Sequence, residues 1–175
     1  MVYKVLIVTL VFASSVFASI NLEELKSFKA EFKQTVTNES NKTIEYKGSV
    51  FIKNTGKVLW KYKTPVEKNV YVLDDLAIVD EPELEQAIYS KLEKAINIIS
   101  LLKNAKKIDE DLYQANLYET NYFITLKDGK VKSLGYKDQL ENRIAIDFSK
   151  IEQNVEISDE IFEFLPPKHY DIIEK

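Results

Sequence analysis

Most of the chain alternates between apolar and polar residues with a period of two, which is typical of β-strands with one buried and one solvated face. Along residues 28–36 every second side chain is apolar or uncharged, and most of those between are charged. The alternation resumes after turn-forming residues at 38–42 and 54–56, and Asp128-Gly129 is a strong hairpin signal. We expect roughly ten strands joined by short turns, which favours one antiparallel sheet that curls toward a barrel.

One segment departs from this period. Within residues 83–104, which follow Pro82, apolar side chains recur at steps of three and four, with Glu and Lys on the opposite side. This spacing predicts an amphipathic helix whose apolar side packs on the sheet. The apolar positions are Leu84, Ala87, Ile88, Leu92, Ala95, Ile96, Ile99 and Leu102.

The N-terminal residues have the pattern of a secretory signal peptide. Lys4 precedes an apolar run at 5–12, and Val16 and Ala18 occupy the −3 and −1 positions of a cleavage site before Ser19. A membrane anchor is the alternative, but the apolar run is shorter than the ~20 residues that span a bilayer. We therefore expect residues 1–18 to be removed and residues 19–175 to form a single domain in the periplasm.

Composition excludes much catalytic chemistry. The 175 residues include no cysteine and one histidine, so disulfides, thiolate zinc sites, thiol nucleophiles and multi-histidine metal sites are excluded. The four glycines are too scattered for a phosphate loop. The net charge is −4, with Lys and Glu interspersed, and no basic patch for nucleic acid is present. We expect no catalytic residues, no cofactor, no metal and no nucleic-acid partner.

Two kinds of site built from acidic residues have to be considered beside this expectation, a cation site and a catalytic carboxylate pair. The acidic residues between Asp74 and Glu85 lack the spacing of a calcium loop and are better explained as a turn followed by helix N-terminal charges. A close carboxylate pair of glycosidase type is not visible in a sequence, because it depends on spatial pairing.

Aromatic residues are the other notable feature of the composition. The chain has ten Tyr, nine Phe and one Trp. A sheet with one apolar face and a single amphipathic helix must bury these faces together. The result is either a filled core or a cleft with apolar walls, and periodicity does not distinguish the two.

Five short motifs follow one another along the chain. They are Phe-x-Ala-x-Phe-x-Gln within 27–34, Gly-x-(apolar)-x-(apolar)-Lys at 48–53, Trp-x-Tyr-x-x-Pro within 58–65, Pro-x-x-Glu-Gln-Ala at 82–87 and Phe-x-Phe-x-Pro-Pro at 162–167. In order and spacing they resemble the motifs of the outer-membrane lipoprotein carrier (LolA) family. The resemblance extends over nearly the whole chain after Ser19.

The resemblance implies a mainly β fold: an incomplete antiparallel barrel of about ten to eleven strands, covered by the amphipathic helix as a lid over an apolar cavity. It implies a periplasmic chaperone that binds the acyl chains of lipoproteins. Such a carrier receives acylated lipoproteins from an inner-membrane ABC transporter complex and delivers them to the outer membrane, at a receptor where one is present. We expect a monomer. The alternative is a periplasmic module of the same fold that senses lipids or lipoproteins.

The same resemblance suggests which residues form the site. Where many members carry Lys-Arg-Pro, this chain has Lys53-Asn54-Thr55, so Asn54 is the candidate for lid control. An asparagine offers a lid carbonyl a hydrogen bond without charge assistance. The predicted lipid-binding residues are Phe28, Phe32, Val50, Ile52, Val58 and Trp60 on the strands and Ile88, Leu92, Ile96, Ile99 and Leu102 on the lid.

Overall fold

The alternating segments form strands at the predicted places. The structure, a computed structural model, describes residues 24–92 and 98–175. Helical elements within these residues include the helix α1 (Ile98–Lys103) and two 3₁₀ turns, Pro82–Leu84 and Asp159–Phe162. The strands are β1 (Ser27–Thr37), β2 (Thr43–Lys53), β3 (Val58–Thr64), β4 (Lys68–Leu73), β5 (Leu76–Glu81), β6 (Gln86–Lys91), β7 (Lys106–Lys107), β8 (Leu112–Leu117), β9 (Thr120–Lys127), β10 (Lys130–Lys137), β11 (Arg143–Gln153) and β12 (Asp171–Glu174).

These strands join into one open sheet in the order β12-β6-β5-β4-β3-β2-β1-β11-β10-β9-β8-β7. Every neighbouring pair is antiparallel except β12 and β6, which run parallel. The mainly β, antiparallel prediction is therefore confirmed. The described strands number twelve rather than ten to eleven, because β6 forms where a helix was predicted and because the two-residue β7 and the C-terminal β12 extend the two edges.

The helix predicted over residues 83–104 is wrong in its first half. Gln86–Lys91 is strand β6, which pairs with β5 on one side and with β12 on the other. The spacing of three and four was misleading because β6 is apolar on both faces, with Ile88 on one and Ala87 on the other. Ile88 and Leu92 therefore belong to a strand and its end rather than to a lid helix.

The second half of the predicted helix is helical where the structure describes it. The described helix α1 is six residues long. Ile96 and Ala95 lie outside the described residues, as does the predicted signal peptide. A helical lid over the whole sheet stays a prediction.

Buried apolar side chains on one face of the sheet form what we call the inner core. Phe28 and Phe148, from the neighbouring strands β1 and β11, are fully buried and meet edge to face with ring centroids 5.1 Å apart. Ile99, Leu101 and Leu102 of α1 pack into the same cluster. Since apolar burial contributes about 25 cal/mol per Å², this cluster is a principal source of stability and fixes α1 on the inner face.

The opposite, outer face of β3–β5 carries a second core. Leu59, Tyr71 and Ile78 are buried there beneath Ile157 and Phe162 of residues 155–164, which we call the C-terminal segment. Polar contacts hold this segment in place. Ser27 Oγ donates a hydrogen bond to the Val155 carbonyl oxygen, and the Lys53 and Lys57 ammonium groups lie 2.8 and 3.3 Å from Asp159 Oδ1. These two lysines hold the pKa of the Asp159 carboxyl below its usual range.

Candidate functional site: an apolar stripe on the inner face

Five apolar side chains lie in one row across the inner face. The strand registers place Trp60 opposite Val70, Val70 opposite Val79, Val79 opposite Ile88, and Ile88 beside Ile173. Side chains in register on neighbouring strands point to the same face and contact one another. We call these five residues the apolar stripe.

The apolar stripe differs from the inner core in its exposure. All five of its side chains are partly exposed, whereas Val50, which precedes Trp60 in the same row on β2, is fully buried. Val70, Val79 and Ile88 lie outside the inner core cluster. The stripe is therefore the candidate site for an apolar ligand, because extended exposed apolar patches are typical of binding surfaces.

The stripe exists because β3–β5 are apolar on both faces. Along β4, Tyr71 faces the outer core while Val70 faces inward, and along β5 Ile78 and Val79 divide in the same way. The C-terminal segment covers the outward set. The inward set is partly exposed among the described residues and is a candidate surface for an apolar ligand.

Aromatic residues border the stripe on the side of Trp60. The Phe32 ring meets the Trp60 and Tyr62 rings edge to face, with centroids 5.0 and 5.1 Å apart. Tyr46 packs against Tyr62 with a centroid distance of 5.8 Å. The Tyr62 hydroxyl lies 3.1 Å from Gln34 Oε1, to which it donates a hydrogen bond.

Two phenols, Tyr62 of this aromatic border and Tyr136 of β10, are too buried to ionise at ordinary pH. Burial, and then the neighbouring Tyr136 and Tyr46, raise the pKa of Tyr62 well above its usual range. Burial and the neighbouring Tyr122 raise the pKa of Tyr136 to about 12. Both rings therefore stay neutral and serve as apolar walls that carry a polar tip.

A polar row follows the stripe toward the ends of the strands. Lys68 lies opposite Tyr62 in the sheet, and its ammonium nitrogen is 4.9 Å from the centroid of the Tyr62 ring and 5.7 Å from that of Tyr46. On the neighbouring strands, Gln86 donates a hydrogen bond to the Glu81 carboxylate. The inner face is thus apolar along the stripe and polar one row away.

The structure places the predicted lipid-binding residues in three environments. Trp60 and Ile88 are in the stripe, Leu92 is partly buried at the end of β6, and Ile96 lies outside the described residues. The role of all eleven in lipid binding stays a prediction. The fully buried members, which belong to the inner core, are Phe28, Phe32, Val50, Ile52, Val58, Ile99 and Leu102.

The sequence prediction missed Val70, Val79 and Ile173. For Val70 and Val79 the available signal was the run of apolar residues in β4 and β5. Such a run places apolar side chains on both faces of the sheet and does not show which face another segment covers. Ile173 has no local signal, because its place in the row depends on the pairing of β12 with a strand more than eighty residues earlier.

The candidate for lid control lies in the turn after β2. Asn54 is exposed, and its backbone N–H donates a 2.8 Å hydrogen bond to the Lys26 carbonyl oxygen. Asn54 lines a polar recess together with Asn154, which directly precedes the C-terminal segment, and Ser158, which lies within it. A hydrogen bond from Asn54 to a lid carbonyl stays a prediction.

Other surfaces of the described residues do not resemble a ligand site as closely. A groove of about 840 Å³ lies along β9–β11, lined by apolar residues that include Phe123, Tyr136 and Ile144 and by charges of both signs, including Arg143 and Asp138. Among the described residues, no three His, Asp or Glu side chains are grouped as a metal site would require. None of the described helices has the length and apolar character needed to cross a membrane.

Comparisons with known proteins agree with this architecture. A protein of Wolinella succinogenes named outer-membrane lipoprotein carrier protein is 37% identical over 152 residues, which are 86% of this chain and 88% of that protein. A Helicobacter pylori protein of the same name is 37% identical over 153 residues, or 87% of this chain and 82% of that protein. Neither name supports the alternative of a periplasmic module that senses lipids or lipoproteins.

The fold is also found in a solved structure. An uncharacterized conserved protein from Thermus thermophilus superposes with a TM-score of 0.53 at 7% identity, covering 89% of this chain and 94% of that one. The family described as outer membrane lipoprotein carrier protein LolA matches residues 23–122. This match spans the first four motifs and, with the relatives, confirms the resemblance: the chain belongs to the LolA family.

Proposed function

We propose that this protein is a periplasmic chaperone that binds the acyl chains of lipoproteins on the apolar stripe. It receives them from an inner-membrane ABC transporter complex and delivers them to the outer membrane, to a receptor where one is present. The observation that carries the proposal is the stripe itself, a partly exposed apolar row across five strands with a polar row beside it. The names of the relatives and the predicted signal peptide support it.

The dimensions of the stripe suit an acyl chain. Neighbouring strands lie about 4.8 Å apart, so four gaps between five strands give a row of about 19 Å. Each buried methylene contributes about 0.8 kcal/mol, and complete burial of one long chain would contribute ~10 kcal/mol. A stripe that is open on one side buries each chain only in part, which keeps the ligand releasable.

Carriage of this kind requires no covalent chemistry. The family consists of carriers rather than enzymes. Binding and release need only a surface whose exposure changes between free and loaded protein, and the population of each form follows its relative affinity for the ligand. We therefore assign no catalytic residue.

The test is the recovery of cargo with the protein. The wild-type protein, purified from a periplasmic extract, is expected to co-purify with acylated lipoproteins detectable by mass spectrometry. Val79→Asp and Ile173→Asp each place a carboxylate in the stripe, where acyl chains would have to desolvate it. We expect both variants to lose most of the bound lipoprotein.

A matched control is available on the same strand. Ile172 precedes Ile173 but faces the other way and is 48% exposed, so Ile172→Asp introduces the same charge outside the stripe. This control should retain cargo. Equal retention by Ile172→Asp and Ile173→Asp, with unchanged far-UV circular dichroism, would contradict the assignment of the stripe as the lipid site.

A further inference from the structure

Lys68 is a cation on the apolar side of the sheet, half-buried beside aromatic rings. Its ammonium group lies over the Tyr46 and Tyr62 rings. In the described part of the chain it forms no ion pair with a carboxylate. Glu81, on the next strand, instead accepts a hydrogen bond from Gln86.

This arrangement leaves hydrogen-bonding capacity on Lys68 for a ligand. An ammonium group has three N–H donors, and the faces of two aromatic rings attract its charge without supplying an oxygen acceptor. A cation withdrawn from water gains most from an oxygen that it can hydrogen-bond. The environment of Lys68 is therefore suited to a ligand that brings such an oxygen.

Lys68 also lies next to the stripe. It is two residues before Val70 on the same face of β4, so the two side chains emerge about 7 Å apart along the strand. An acyl chain that lies along the stripe with its polar end near Trp60 and Val70 would thus have that end within reach of the Lys68 side chain, which is long and flexible.

We propose that Lys68 binds the carbonyl oxygens of the ester and amide linkages by which acyl chains are attached to a lipoprotein N-terminus. This inference rests on the proposed function. Tyr46 and Tyr62 hold the ammonium group at the border of the stripe, and the linkage oxygens take the place of a carboxylate partner. Lys68 then sets the depth to which an acylated N-terminus enters, because the chain lies on the stripe while its linkage stops at the polar row.

The test uses Trp60, which is the one tryptophan of the sequence and lies in the stripe. Its fluorescence reports binding of an N-palmitoyl, dipalmitoylglyceryl cysteine peptide with a neutral sequence and an amidated C-terminus. Lys68→Gln is expected to weaken binding of this peptide about tenfold or more, as loss of a charge-assisted hydrogen bond does. Lys68→Arg should retain most of the affinity.

The matched control is Lys61→Gln, which removes a charge from the exposed outer face of β3. It should bind the peptide like the wild type, and thermal melting should show that every variant is folded. Equal affinity of wild type and Lys68→Gln would overturn the role of Lys68 while leaving the carrier function intact. A wild-type protein that binds no acylated probe would instead refute the carrier function.

A second probe distinguishes two kinds of ligand that could supply the oxygen bound by Lys68, an acylated peptide and a free fatty acid. Palmitate offers a carboxylate in place of ester and amide carbonyls. If Lys68→Gln loses affinity for palmitate but binds the acylated peptide like the wild type, the proposal is overturned in favour of a free fatty acid site.

Discussion

At the scale of single residues, Gly48 shows how closely the aromatic border is packed. A Cβ at this position would lie 1.9 Å from the Lys61 carbonyl oxygen and 2.9 Å from Cε1 of Phe32. The register between β2 and β3 shifts at the same point, between Lys47 and Gly48. Only a residue without a side chain lets the backbone of β3 approach here and the Phe32 ring lie over β2.

We expect Gly48→Ala to lower the free energy of unfolding by about 1–3 kcal/mol, because the backbone of β3 must move to admit the methyl group. Urea denaturation measures the change. Gly135→Ala is the matched control, since a Cβ there would meet nothing closer than the Ile144 carbonyl oxygen at 3.8 Å. If both variants are equally stable, the close approach at Gly48 does not limit the fold.

The sequence predicted the positions of individual side chains best along β1 and β2. Phe28, Phe32 and Val50 lie on the inner face as their alternation predicted, because each strand is long and has one polar face. The position of Lys68 was not predictable in this way. Its cationic side chain is typical of a solvated face, and its contact with Tyr46 depends on a packing arrangement between β2 and β4.

At the scale of elements, the C-terminal segment converts a one-layer sheet into two layers. Phe162 of this segment is 1% exposed and packs on Leu59 and Tyr71 of the outer core. Without the segment, β3–β5 would expose apolar side chains on both faces. The segment therefore makes it possible for the inner face of the same strands to remain open.

Phe162→Ala is expected to destabilise the protein by about 3–5 kcal/mol, through lost burial and the cavity left behind. Leu165→Ala, three residues later, should have little effect because Leu165 is 90% exposed. Chemical denaturation distinguishes the two. A Phe162→Ala protein as stable as Leu165→Ala would show that the C-terminal segment does not contribute to the outer core.

The elements that sequence analysis misjudged are those whose partners are distant along the chain. Residues in β6 have apolar side chains at spacings that fit a helix, yet their backbone groups pair with β5 and with β12. A strand that is apolar on both faces has no period of two, and spacing alone does not separate it from a helix. The hairpin at Asp128-Gly129 was predictable because its partners, β9 and β10, are adjacent in the chain.

At the scale of the whole molecule, the sheet has a packed half and an open half. Side chains of β1, β2 and β8–β11 form the inner core with α1, while β3–β6 and β12 carry the stripe. A ligand bound on the stripe, as proposed, would add burial to the open half alone. The stability of the molecule is therefore expected to depend on ligand concentration.

An acyl ligand present at about 100 times its Kd should add about 2.7 kcal/mol to the free energy of unfolding. For a chain of this size the midpoint of thermal unfolding should rise by roughly 5–10 °C. Differential scanning calorimetry of the wild type and of Val79→Asp, with and without ligand, measures the effect. The same rise in both proteins would show that the ligand binds away from the stripe.

Both edges of the sheet are poor partners for a further strand. One edge ends in β7, which consists of two exposed lysines, Lys106 and Lys107, and the other ends in the four-residue β12, whose Asp171 and Glu174 are exposed. Unpaired sheet edges are templates for polymerisation, and short, charged edge strands prevent it. For a carrier that exposes an apolar face, as proposed, edges of this kind would oppose growth into fibrils.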